Sequence, residues 1–116
     1  MYKNIFDTHA HYEDEQFDCD RDELLSSFPE NGISGVVTCG TDIITSEKSI
    51  ALAGKYPFIY AAVGFHALNL DSLTADWCGD IKKLAAQKKV AAIGEIGLDY
   101  HYERDSREKQ LEVFEK

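Results

Sequence analysis

"ISGVVTCG", residues 33–40, is built from Val, Ile and small residues, and its polar and apolar positions do not strictly alternate. A strand with one wet face alternates with a period of two, whereas a run of this kind fits a parallel strand covered on both faces. Three similar runs flank it: "NIFDTH" (4–9), "FIYAAVG" (58–64) and "VAAIGEIG" (90–97). Between them lie segments with helical spacing, "DRDELLSSF" (20–28), "TSEKSIALAGKY" (45–56) and "ADWCGDIKKLAAQKK" (75–89). In the last of these Trp77, Ile81, Leu84 and Ala85 share one side, while Lys82, Lys83, Lys88 and Lys89 gather on the polar side and in the final turn. Thr45 is the candidate N-cap of the second helix. "RDSREKQLEVFEK" (104–116) begins a fourth helix with Leu111 and Phe114 on one side. The order is βαβαβαβα, with unit lengths close to those of right-handed crossovers.

The chain has 116 residues, the length of one ordinary domain. A (β/α)8 barrel needs about 200 residues or more. The expected fold class is therefore α/β, with (β/α) units of a TIM-like barrel and four parallel strands, about half a barrel. On this expectation residues 1–116 are the N-terminal half of the domain, ending after the fourth strand and the start of its helix. The alternative is a small doubly wound sheet complete in itself. An open half barrel has two unpaired edges, through which the chain is able to self-associate.

A hydrophobic content of 44% with 28% charged residues marks a globular chain. The net charge of −9 argues against broad binding of nucleic acid through surface charge, which needs clustered Lys and Arg. It leaves a nucleic-acid substrate open, because bound divalent cations supply a local positive field. Cys19, Cys39 and Cys78 form neither an even set nor a CxxC pair, as expected of reduced thiols. With no long apolar run and no charged-then-apolar leader, the expected location is cytoplasmic, with no membrane partner.

"NIFDTHAHYED" (4–14) places two aspartates, two histidines and a glutamate where the first strand runs out. In a strand, Asp7, His9 and His11 project to one side. Two imidazoles so placed suit a divalent ion; alone, they equally suit a pair of loop histidines. The fourth run carries Glu95 among apolar residues, between Gly94 and Gly97. A carboxylate there is costly unless it meets a cation or hydrogen bonds, so it serves either a salt bridge or a metal. "AAVGFHALN" delivers His66 to the same rim, and "TCGTD" offers Thr41 and Asp42. Convergence of such groups at successive strand ends is what a barrel active site requires.

These segments carry a resemblance. "FDTHAHYED", "VVTCGTD", "AAVGFHALN" and "AAIGEIGLDYHYERDSREKQLEVFEK" resemble successive signature segments of the TatD-like metal-dependent hydrolases, the TatD DNase family of the amidohydrolase superfamily. The resemblance implies a TIM-like barrel with two or more divalent ions (Mg2+, Mn2+ or Zn2+). It also implies hydrolysis of phosphodiesters, commonly as a deoxyribonuclease and exonuclease on DNA. His9 and His11 match the family's first-strand metal ligands, and Glu95 matches its metal-bridging carboxylate. His66 matches the substrate-proximal histidine, with Ala67 in place of the usual proline. Asp7 and Asp99 match positions that orient the ligands. The family's remaining ligands and its catalytic aspartate lie on later strands than this chain contains. No complete catalytic set is therefore expected here, and the chain alone is expected to be inactive. Two rivals stand beside this reading: an amidohydrolase acting on an amide or ester, and a non-catalytic half-barrel assembly module.

Overall fold

The computed structural model describes residues 2–102 and 104–116. Four strands form one parallel sheet in the order of the chain: β1 (Ile5–Ala10), β2 (Ile33–Cys39), β3 (Ile59–Val63) and β4 (Val90–Ile93). The connections carry α1 (Arg21–Ser26), α2 (Ile43–Lys55) and α3 (Trp77–Ala85), and α4 (Arg107–Phe114) follows β4. This is a run of consecutive βα units, about half of a TIM-like barrel. Among the described residues no helix is long and apolar enough to cross a membrane.

The helices cover one face of the sheet. Leu25, Phe28, Val36, Ala53 and Ile59 form one buried cluster between α1, α2 and the strands. Val63, Phe65, Leu70, Ile81 and Leu84 form a second cluster under α3, and Ile50 and Val90 pack against both. Leu25 and Ile59 are wholly buried, a contribution of about 1.5–3 kcal/mol each.

The opposite face departs from the expectation of strands buried on both sides. Phe6 is 49% exposed, Tyr60 37% and Ile93 50%. Phe6 stacks on Tyr60 with ring centroids 6.3 Å apart. The cause is the common hand of the crossovers, which puts every helix on the same side. The other side is the concave one, and it holds the apolar side chains that spoiled the polar alternation.

Two helices differ in detail from the sequence reading. The N-cap of α2 is Asp42, not Thr45: Asp42 accepts from the Thr45 N–H at 2.8 Å, and Thr45 Oγ1 accepts from the Asp42 N–H at 3.0 Å. Both residue types cap well, and the reciprocal pair extends the helix over the apolar Ile43 and Ile44. On α4 the inward residues are Gln110 and Val113, while Leu111 and Phe114 stay exposed.

Candidate metal centre

The site lies at the C-terminal end of the sheet. Near the end of β1, Asp7 pairs with Val36 and Ala10 with Thr38, so three steps on β1 match two on β2. Such a bulge re-aims side chains. Within it the Asp7 carboxylate accepts the His9 N–H at 3.0 Å, which ties it to the backbone that carries His9. His11 follows just beyond the strand.

The tautomer of His11 is set by its surroundings. Its Nδ1 lies 2.8 Å from the carbonyl oxygen of Cys39 and 3.2 Å from Glu13 Oε1. A carbonyl only accepts, so the proton sits on Nδ1 and the lone pair on Nε2. That Nε2 is 3.2 Å from His9 Nε2 and 3.2 Å from Glu95 Oε2. His9 Nε2 and Glu95 Oε2 are also 3.2 Å apart.

Glu95 reaches the triangle from the turn after β4, two residues past the strand rather than within it. Its N–H donates to the Gly40 carbonyl at 2.8 Å, and the Gly94 N–H donates to the Val63 carbonyl at 2.9 Å. The peptide between Gly94 and Glu95 is cis. The close backbone approach falls at Gly64 rather than Gly94: a Cβ on Gly64 would sit 2.9 Å from the Gly94 carbonyl carbon and 3.0 Å from the Glu95 oxygen. Gly97 has φ of +142°, a conformation that L side chains rarely adopt.

His66 has the opposite tautomer. Its Nδ1 accepts the Leu68 N–H at 3.1 Å, which leaves the proton on Nε2. That Nε2 stands 3.5 Å from Glu95 Oε1. The Thr41 carbonyl holds this segment, accepting from the His66 N–H at 2.9 Å and the Asn69 side chain at 3.2 Å.

Asp99 stands apart from the triangle. Its carboxylate accepts the N–H groups of His101 at 2.9 Å and Tyr102 at 3.0 Å. These bonds, led by that from Tyr102, hold its carboxyl below the usual range. The buried Gln110 grips the Asp99 backbone from both sides, accepting its N–H at 2.8 Å and donating to its carbonyl at 3.0 Å. Cys39 lies beside the site, but burial first, and then Glu95, Glu13 and Asp7, push its thiol up. It therefore remains a thiol, a poor ligand.

The donor set fits a divalent cation. His9, His11 and Glu95 bring one ligand atom each within 4.8 Å of one another. The mutual spacing of 3.2 Å falls between the roughly 2.8–3.1 Å of an octahedral shell and the roughly 3.3–3.6 Å of a tetrahedral one for donors held about 2.0–2.2 Å from one ion. With the neutral His11 proton on Nδ1, His9 alone has a ring N–H to share between the other two acceptor atoms. Such a gathering of lone pairs calls for a positive charge.

The structure thus brings together His9, His11 and Glu95, sets His66 beside them, and leaves Asp7 and Asp99 on neighbouring backbone. Glu13 and Gln110 escaped sequence reading, and Thr41, expected to line the rim, instead holds the His66 segment through its carbonyl. Glu13 opens the acidic run "EDEQFDCDRDE" (13–23), which looks like a solvated face. Its place two residues after His11 is the single hint.

A family model described as "TatD related DNase" matches residues 6–116. An uncharacterized metal-dependent hydrolase of Bacillus subtilis, YabD, is 39% identical over 110 residues, covering 95% of this chain and 43% of its own length. The 3'-5' ssDNA/RNA exonuclease TatD of Cronobacter sakazakii is 30% identical over 110 residues, 95% of this chain and 42% of its own length. The crystal structure of the TatD homologue YJJV from Escherichia coli superposes with a TM-score of 0.84 at 26% identity, over 96% of this chain and 44% of that one. A TatD-family hydrolase from Entamoeba histolytica shares the fold at a TM-score of 0.87 and 24% identity, over 99% of this chain and 44% of that one. The chain spans less than half the length of these relatives.

Proposed function

The chain belongs to the TatD-related DNase family of metal-dependent hydrolases, and from that premise we propose that His9, His11 and Glu95 hold a divalent ion for phosphodiester hydrolysis on DNA. Residues 1–116 correspond, in this proposal, to the first half of the barrel of the longer relatives. The observation that carries the reading is the triangle of two imidazole nitrogens and one carboxylate oxygen, 3.2 Å on each side.

A divalent ion bound there supplies Lewis acidity to a phosphoryl oxygen and to water. Imidazole with carboxylate favours Zn2+ or Mn2+ over Mg2+, which prefers oxygen donors. His11 presents its lone pair because Cys39 holds its proton, and Glu95 neutralises charge from the facing turn. His66 has a different task. With Nδ1 occupied by the Leu68 N–H, its Nε2–H points into the same rim and donates to a phosphate oxygen of the substrate. Asp7 fixes the backbone of His9, and Asp99 shapes the loop at 99–102 that borders the site. The net charge of −9 repels a polyanion, so substrate attraction is local to the cation and His66.

Three side-chain donors leave a coordination shell to be completed by water, and the described residues offer no further carboxylate within the cluster to move a proton. We therefore expect weak turnover from the 116-residue chain. The test is release of nucleotides from single-stranded DNA by this chain with Mn2+ or Zn2+, against its Glu95→Gln variant and against chelator. Any metal-dependent release should fall at least tenfold in Glu95→Gln. Release that is unchanged in the variant and in chelator counts against the assignment. Cleavage of a nitrophenyl ester but no phosphodiester would favour amide or ester hydrolysis instead. A second reading, self-association through the free edges of β1 and β4, draws on the exposed concave face.

A further inference from the structure

We propose that Glu13 is a positioning residue of the metal centre, a buried counter-charge that acts on the ion through the His11 ring. The inference rests on the reading of His9, His11 and Glu95 as ligands.

Glu13 is 4% exposed. Its Oε1 lies 3.2 Å from His11 Nδ1. Its Oε2 accepts the hydroxyl of Thr38 at 2.5 Å. Thr38 is wholly buried, and its Oγ1 also accepts the Tyr12 N–H at 3.2 Å. The hydroxyl has one proton, and since the Tyr12 amide already approaches as a donor, that proton points at Glu13. The carboxylate is therefore fixed at both oxygens, with one aimed at the back of His11.

Among the described residues no Lys or Arg makes an ion pair with its carboxylate, although Arg21 and Lys48 share a cleft with it. Arg21, the nearest cation along the chain, spends its guanidinium on the backbone carbonyls of Tyr12, Glu13 and Asp14 and on the Asp18 carboxylate. Among the described residues the one close basic neighbour of the Glu13 carboxylate is the His11 ring, 3.2 Å away at Nδ1. A buried carboxylate facing a neutral ring lacks a compensating charge. A cation on the far nitrogen of the same ring provides it. A carboxylate behind a ligating histidine makes the ligand nitrogen more basic and holds the ring in the ligating orientation. The Cys39 carbonyl selects the tautomer, and Glu13 adds the charge that a carbonyl lacks.

The experiment is calorimetric titration of the native chain and its variants with Zn2+ alone, with circular dichroism to confirm folding. Glu13→Gln keeps an oxygen for the Nδ1–H but removes the charge. It should bind Zn2+ about 10- to 100-fold more weakly while remaining folded. A folded Glu13→Gln chain with the native Kd overturns the inference. Should that variant not fold, Thr38→Val, which frees Glu13 Oε2, should weaken binding and Thr38→Ser should restore it; native affinity in Thr38→Val overturns the inference. If the native chain takes no Zn2+, the ligand reading fails by itself. Glu13 is then judged from the 15N resonances of His11 in the metal-free protein. A proton on Nδ1 whose 15N shift moves in Glu13→Gln supports the contact, and a proton on Nε2 or an unmoved shift overturns it.

Discussion

Glu95 is the hub of the site at the scale of single residues, because one oxygen meets both His9 and His11 and the other faces His66. Its position rests on the bond of its N–H to the Gly40 carbonyl and on the lack of a side chain across from it at Gly64. A methyl group on Gly64 would run into backbone at Gly94 and Glu95, at 2.9–3.0 Å, and backbone cannot rotate away as a side-chain tip can. Gly64→Ala should therefore cost about 1–3 kcal/mol of stability and also weaken Zn2+ binding, whereas Gly54→Ala, on α2 with open space around it, should leave binding unchanged. Thermal melts and metal titration of the two variants check this. Equal effects would show that Gly64 does not set the position of Glu95. The ligand types and their placement at strand ends could be read from "DTHAH", "GFH" and "GEIG", since charged or imidazole groups stand out against apolar runs. The close approach at Gly64 was less visible, because a glycine required by a neighbouring backbone looks the same in sequence as one required by a turn. Burial of Glu13 was hidden for a related reason: the residues that enclose it, Thr38 among them, come from another strand.

Among the elements, α2 is the best anchored. Its Asp42–Thr45 capping box serves the first turn, and Lys89 donates to the carbonyls of Ala53, Tyr56 and Pro57 at its end, at 2.6–3.1 Å. Asp42→Ala should cost about 0.5–2 kcal/mol, read as a fall in Tm. The same change should loosen the Thr41 turn that carries His66, visible in the amide resonance of His66. Between α1 and α2, Asp22 accepts from Lys55 Nζ and from the Tyr56 hydroxyl at 2.6–2.7 Å. These bonds, Lys55 first and Tyr56 second, hold the Asp22 carboxyl below its ordinary value. A carboxyl lowered on folding stabilises the fold above its unfolded pKa, about 3.9, and the contribution is lost as pH falls through the lower folded value. Stability should thus decline with acid from just above pH 4 downward, and Asp22→Asn should flatten part of that decline. An unchanged profile of Tm against pH in Asp22→Asn would remove Asp22 from the account. Boundaries were the least legible part of these elements. Asp42 and Thr45 are both good caps, and only their reciprocal bonds decide between them. On α4 Gln110 is held inside by the Asp99 backbone, while Leu111 and Phe114 stay partly exposed and Phe114 borders a cavity shared with Trp77 and Ile81.

For the whole molecule, the decisive feature is the contrast between the two faces of one sheet. The helix side is closed by two apolar clusters. The concave side shows Phe6, Tyr60 and Ile93 to solvent, and among the described residues β1 and β4 each have one edge without a strand neighbour. Exposed apolar faces and open edges favour association. The net charge of −9 opposes it, and that opposition is screened over about 10 Å at 0.1 M salt. The balance makes a specific prediction. Sedimentation of the 116-residue chain should show larger species as protein concentration rises, and added salt should increase their share. A purely electrostatic contact would weaken with salt instead. Phe6→Lys with Ile93→Lys changes side chains that are about half exposed and removes the stack of Phe6 on Tyr60, but it leaves both helix-side clusters untouched. The doubly substituted chain should remain monomeric and melt close to the native monomer. A native chain that is monomeric at every concentration and salt would show that the concave face does not associate. Metal binding provides the link to function, because His9 and Glu95 line the same open groove of this face as Ile93. Zn2+ affinity in a chain substituted at Phe6→Lys alone should match the native value, because Phe6 does not line that groove, and a loss there together with loss of association would mean that the site is completed only between copies.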